Sequence, residues 1–198
     1  MRDAGPWLVA GLGNPGERYA RTRHNAGVMV VEALCAQLGA RLRKVRLVPL
    51  FAAEARHRGE QLLLTAPGSF MNESGPPLAS FARRRGVVLD RVIACHDEID
   101  LPLGALRIKR GGSTAGHHGL DSMVRGFRSP DFYRVRLGVG RPRHRDLNVD
   151  FLLEPFARSE LDAVESLVQG AAEAVLSLVS EGLDAAREGY TRSGVEDP

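Results

Sequence analysis

The segment WLVAGLGNPGERYARTRHNAGVMVVEALCAQLG, Trp7–Gly39, sets the architecture. Its first six residues form a short apolar run interrupted only by glycine, which reads as a buried strand. A polar excursion follows from Gly13 to Asn25. From Ala26 to Leu38 the apolar residues Val28, Val31, Leu34, Cys35 and Leu38 recur at helical spacing, and Gly39 supplies a stop. Strand, long polar loop and helix in that order is the opening unit of an α/β fold, with the loop at the strand end where such folds place ligands.

Working outward, Arg41–Leu47, Leu50–His57 and Gln61–Ala66 read as strands, the last two joined by a turn at Arg58-Gly59-Glu60. Ser74 is positioned to cap a helix that carries Pro76 and Pro77 in its first turn and runs to Arg85. Arg91–Asp97 is an apolar strand of the kind buried in parallel sheets, and Ala105–Lys109 is a shorter one. The glycine-rich loop Gly111–Gly116 leads into a helix over Gly119–Phe127 and then a strand over Phe132–Gly140. Ser159 with Asp162 reads as a capping box opening a long helix to Ser180. The pattern predicts one α/β domain over residues 1–190, a mixed, mostly parallel twisted sheet with helices on both faces, and a flexible tail at 191–198.

Composition narrows the function. With 198 residues, 43% hydrophobic and 26% charged, the chain is that of an ordinary globular domain. No run approaches the roughly 18 residues that span a bilayer, and the first twenty lack a signal-peptide core, so neither membrane nor export is expected. Cys35 and Cys95 lie in apolar runs and make no disulfide framework, which fits a reducing cytoplasm. Basic residues number 27 against 24 acidic, and Lys44 and Lys109 are the only lysines. A guanidinium fork grips phosphate, so the bias is compatible with nucleic-acid binding.

Two phosphate motifs are mimicked and fail. Gly11-Leu12-Gly13-Asn14-Pro15-Gly16 has the dinucleotide spacing, but polar residues separate it from the helix whose amides would face a pyrophosphate. Gly111–His118 has P-loop spacing with His117 and His118 where lysine and a hydroxyl belong. A loop feeding a helix N-terminus is still a competent anion site. Strand alternation separates His96 and Glu98 from Asp97, and no tight metal-ligand spacing occurs, so no metal or other cofactor is expected. The same alternation rules out a Cys95–His96–Asp97 triad.

What remains is a set of amides and imidazoles near strand ends: Asn14, Tyr19, His24, Asn25, Asn72, Asp97, His117 and His118. If Asp97 faces His24 it accepts from one ring nitrogen and leaves the other as a base near neutral pH. With no activated serine or thiol, that base would activate water, and the substrate would be an activated acyl group such as an ester.

GNPGERYARTRHNAG (Gly13–Gly27), TAPGSFMNESG (Thr65–Gly75), HDEIDLPLGALRIKRGG (His96–Gly112) and GHHGL (Gly116–Leu120) together resemble the bacterial-type peptidyl-tRNA hydrolase family, in order and spacing, over nearly the whole chain. The resemblance implies a monomeric, metal-free enzyme that cleaves the ester between peptide and tRNA and so recycles the tRNA. It makes His24 the base, Asp97 its orienting partner, and Asn14 the residue telling a blocked ester from a free aminoacyl ester. It also makes Asn72 a support for the histidine and the peptide backbone. Tyr19, Phe70 and Asn72 match substrate-contacting positions, Met71 would line the peptide groove, and His117 matches a histidine at the rim. The family has Asn where this chain has His118, a change that puts turnover rather than binding in question. For tRNA the chain offers Arg107, Lys109, Arg110, Arg134 and Arg136, with Arg141, Arg143, His144 and Arg145 weaker, while Arg83–Arg85 read as a solvated helix end. The rival readings are a non-catalytic RNA binder on the same fold and an esterase for small acyl esters.

Overall fold

The apolar run at Trp7 becomes β1 (Trp7–Gly11), buried at every residue because parallel partners flank it on both sides. The computed structural model describes residues 5–142 and 148–190. The other strands are β2 (Arg43–Lys44), β3 (Leu50–His57), β4 (Glu60–Pro67), β5 (Val92–Glu98), β6 (Leu106–Arg110) and β7 (Tyr133–Gly138), in the sheet order β2-β3-β4-β1-β5-β7-β6. β4, β1, β5 and β7 are parallel neighbours, and β2, β3 and β6 add antiparallel margins.

Helices α1 (Ala26–Gln37), α5 (Leu161–Glu181) and α6 (Leu183–Tyr190) cover one face, and α2 (Gly75–Arg84) and α3 (His118–Phe127) cover the other; the short α4 is Asn148–Leu153. Alternation along each strand divides the core accordingly. Val9, Leu64, Ile93, Val135 and Leu137 pack toward α1 and α5. Leu8, Leu63, Val92, Leu120 and Phe132 belong to the core on the α2–α3 side. α5 with its preceding turn is long and apolar enough to cross a bilayer, but Val164, Leu167, Ala171, Val175 and Leu178 along it are core residues.

Several expected boundaries move. The strand expected at Arg41–Leu47 shrinks to Arg43–Lys44, because Leu47 turns through φ +62° and leaves the ladder. The hairpin turns at Arg58 and Gly59, both at positive φ, the conformation that matches the twist of paired strands. Ser74 does not cap α2: its hydroxyl donates to the Met71 carbonyl at 2.8 Å. Nor does Ser159 open α5; it lies inside a 3-10 turn over Arg158–Glu160 that precedes the helix, and Glu160 accepts from the Ala157 N–H at 2.6 Å. α4 and α6 are additions to the sequence reading. The expected tail at 191–198 and the weaker basic candidates Arg143, His144 and Arg145 lie outside the described residues.

Candidate active site

β1 and β5 are neighbours whose outgoing connections leave in opposite directions, β1 toward β4 and β5 toward β7. That crevice at the carboxyl ends of the strands is where open α/β sheets bind ligands. His24 comes from the loop after β1, in a 3-10 turn (Arg23–Asn25) that runs into α1, and Asp97 from the end of β5. His24 Nδ1 lies 2.9 Å from Asp97 Oδ1 and 3.1 Å from Oδ2. A carboxylate only accepts, so Nδ1 carries the proton, and His24 Nε2 is left with no hydrogen-bond partner among the described residues.

The pairing expected from sequence is therefore present, with a second imidazole added to it. His117 Nε2 lies 3.0 Å from Asp97 Oδ1, while its Nδ1 accepts from the backbone N–H groups of Gly119 (3.1 Å) and Leu120 (3.3 Å) and so caps α3. The ring is largely enclosed rather than a rim residue. This also corrects the expected anion site, since the His117 ring already occupies two amides of that helix terminus. Burial alone would raise the Asp97 pKa, but the facing His117 and His24 rings hold its carboxyl well below the usual carboxylate range. Burial opposes a charge on His117, yet the Asp97 carboxylate and its hydrogen bond outweigh it and raise the ring's affinity for protons. In the capped geometry Nδ1 accepts from two N–H groups, which is the role of an unprotonated ring nitrogen.

His96 points to the other sheet face, as alternation requires, and meets this cluster edge-on through His117, at 5.0 Å between ring centroids. Its Nδ1–H donates to the Asp97 carbonyl at 2.7 Å, and burial drives its pKa far below the ordinary imidazole value. Cys95 is buried with its thiol pushed up to about 12, which leaves it inert. The ligand atoms of His24, Asp97 and His117 lie within 4.8 Å of one another, a spacing that could take a metal ion. In the present arrangement each His–Asp approach is an N–H···carboxylate hydrogen bond.

The dyad opens into a cavity of about 480 Å³. Asn14, Asn72 and His118 bring polar atoms to it; Phe70, Met71, Ile99, Val149, Leu152 and Leu153 form apolar wall. Asn14 is aimed from both ends. Its backbone exchanges hydrogen bonds with the Asn25 side chain (2.9 Å each), and its Oδ1 accepts from the Met71 N–H at 3.0 Å. The Nδ2 donors of Asn14 have no partner among the described residues. Asn25, named from sequence without a role, is thus the brace for Asn14. Asn72 lies on the rim with no hydrogen bond to His24, so the support for the histidine expected of it comes from Asp97 instead. Tyr19 packs edge-on against half-exposed Phe70 at 6.5 Å, with Arg18 over its ring. The lining's one hydroxyl, Thr114, donates to Asp121 at 2.5 Å.

The expected basic surface is largely drawn inward. Arg107, Lys109, Arg134 and Arg136 share one face of the β6–β7 ladder, with Arg107 opposite Arg136 and Lys109 opposite Arg134. Arg134 is 1% exposed and donates to the carbonyls of Gly112 (2.7 Å) and Ser113 (2.6 Å), strapping the glycine-rich loop. It is not available to phosphate. Arg107 and Arg136 are also buried, Arg136 against Glu98 at 3.1 Å. Arg110 reaches the surface but is held by Asp131 and Asp90, and Arg141 is paired with Asp100. Lys109 is the half-exposed member, its amine beside Gly112.

A sheet-end His–Asp dyad whose second imidazole nitrogen has no partner among the described residues, set in an apolar-walled cavity, fits the class of hydrolases that work through water. Comparison with known proteins makes that class specific. The family model described as peptidyl-tRNA hydrolase matches residues 8–197. Peptidyl-tRNA hydrolase of Nocardia farcinica is 45% identical over 183 residues, 92% of this chain and 95% of that protein. That of Frankia casuarinae is 45% identical over 186 residues, 94% of each. The crystal structure of peptidyl-tRNA hydrolase from Acinetobacter baumannii superposes with a TM-score of 0.90 at 29% identity, covering 97% of each chain. The chain belongs to the peptidyl-tRNA hydrolase family.

Proposed function

We propose that the chain hydrolyses the ester joining a peptide, or an N-blocked aminoacyl group, to tRNA, with His24 as general base. The observation that carries this reading is the His24–Asp97 bond, which fixes Nδ1 as the protonated nitrogen and leaves Nε2 free in the cavity. Water donates a proton to Nε2 as its oxygen attacks the ester carbonyl. Asp97 stabilises the imidazolium that forms, which then returns the proton to the departing ribose oxygen, giving free peptide and tRNA. A neutral imidazole worked by a buried carboxylate suits an ester, whose alkoxide leaves far more readily than an amine.

Asn14 supplies the selectivity. With Oδ1 committed to Met71, the side chain offers N–H donors, which match the carbonyl of a first peptide group and oppose the ammonium of a free aminoacyl ester. Met71, Ile99 and the α4 residues Val149, Leu152 and Leu153 take the apolar side chains of the peptide, and Tyr19, Phe70 and Asn72 border the entrance for the acceptor end. Lys109 meets the phosphate backbone, with Arg134 holding the adjoining loop in place. His118 stands beside the reacting ester. The reading makes the protein a monomer of the cytoplasm, where translation leaves its substrate.

The test is cleavage of N-acetyl-aminoacyl-tRNA beside the unblocked ester, with a chelator present. The expected result is chelator-resistant release from the blocked ester alone, lost by at least about 10²-fold in His24→Ala while tRNA affinity is kept. Binding without cleavage by the natural chain would instead make it a non-catalytic RNA binder.

A further inference from the structure

His117 occupies a position that the proposed reaction does not use, and its two ring nitrogens face two different structures. Nδ1 takes the N–H groups of Gly119 and Leu120 at the start of α3, and Nε2–H donates to the Asp97 oxygen that His24 also uses. We infer that His117 is a positioning residue that sets the strength of the His24 base: by donating to the shared Asp97 oxygen it draws charge from the carboxylate, and by capping α3 it ties that carboxylate to the cavity wall. The inference deepens the proposed function and rests on it.

The direction follows from the hydrogen bonds. A carboxylate that already accepts a second N–H stabilises the His24 imidazolium less than one that serves His24 alone. Remove the second donor, and Asp97 holds the His24 proton more tightly. The base is then lost to protonation at a higher pH.

The other groups facing this cluster do not supply the same effect. From β5, His96 packs edge-on against His117 and spends its Nδ1–H on the Asp97 backbone, and Glu98 pairs with Arg136 of β7. Arg134 of β7 is spent on loop carbonyls. His118 at the start of α3 lines the cavity, and of the described α4 side chains Val149, Leu152 and Leu153 reach its lining. Among the described residues, His117 and His24 alone donate to the Asp97 side chain.

The two ring nitrogens can be tested one at a time. Asn places an acceptor where Nδ1 stands and stops short of Asp97, so His117→Asn keeps the cap and loses the donor. Gln places a donor where Nε2 stands and leaves the helix end bare, so His117→Gln keeps the donor and loses the cap. Titration of the His24 ring resonances by NMR needs no turnover, so a failure of this inference is distinguishable from a failure of the proposed activity; the acid limb of kcat/KM is the second readout. His117→Asn is expected to move both upward by about half to one pH unit, a shift that loss of stability alone would not produce. His117→Gln is expected to leave both in place and lower Tm by about 2–4 °C, the loss of one cap in a chain of this size. An unmoved titration in His117→Asn, or the same shift in both variants, would overturn the inference and leave His117 a helix cap only.

Discussion

His118 is the first residue of α3, exposed at the cavity, beside a His117 ring that is committed on both sides. An imidazole presents one donor and one acceptor only while neutral, whereas an asparagine presents both at every pH and closer to the backbone. His118→Asn is therefore expected to raise kcat/KM for the blocked ester, by about 2- to 5-fold and most at the acid end of the profile. Parallel pH profiles of the two proteins check it, and a lower value in the variant would mean the cavity is adapted to the ring. At this scale the sequence discloses chemistry better than placement. The pairing of His24 with Asp97 was legible because one residue follows a strand and the other ends one. The double use of His117 was not, because it depends on where the glycine-rich loop crosses the end of β5. Arg134 looked like a surface cation for a similar reason: strand alternation gives the face, but not the loop that lies across it.

Between elements, the geometry of the dyad depends on how closely α1 docks on the seam of β1 and β5. Gly27 lies there; a Cβ at this position would stand 2.0 Å from the Cys95 carbonyl oxygen and 2.7 Å from the Leu12 nitrogen, both backbone atoms. Those two atoms are themselves hydrogen-bonded at 2.9 Å, so neither can retreat without opening the seam. Gly27→Ala must lift α1, which begins two residues after His24, away from Asp97. The expected cost is about 2–3 kcal/mol, read as a fall in Tm of about 5–10 °C. Turnover should fall by about 10²-fold even where the protein is folded, since a displacement near 1 Å is enough to spoil the base. Gly170→Ala is the control: that glycine in α5 has nothing within 4 Å of its would-be Cβ, and the change should leave turnover alone and raise Tm slightly. Calorimetry with single-turnover assays separates the two. Elements with a clear period were legible in sequence, with ends displaced by a few residues. α4 and α6 are short, and packing rather than repeat holds them, with Ala186 of α6 fully buried. Both expected serine caps failed because each serine lies within or beside a 3-10 turn that takes over the helix start.

Across the whole molecule, the parallel core, its antiparallel margins and a site at the carboxyl ends of the strands all follow from the order of apolar runs. The path of the tRNA does not, because it depends on which cations remain at the surface. The fold answers by drawing Arg107, Arg134 and Arg136 inward and pairing Arg110 with Asp131 and Asp90. Lys109 is half-exposed at the end of β6, opposite Arg134, whose guanidinium straps the adjoining loop. A lysine that meets a phosphate releases counterions when it binds, and its loss removes their share of the salt dependence. Lys109→Ala is expected to weaken tRNA binding at low salt and to reduce the slope of log affinity against log salt by about one. Arg110→Ala should change that slope little, because its charge is already neutralised within the protein. If Lys109 meets phosphate away from the ester, Lys109→Ala should raise KM for the whole substrate and leave kcat in place. Titrations of tRNA at several salt concentrations, run beside the two variants, test the assignment: an unchanged slope in Lys109→Ala removes that lysine from the interface, and a lowered slope in Arg110→Ala would show that tRNA competes successfully for a cation the fold holds between two aspartates.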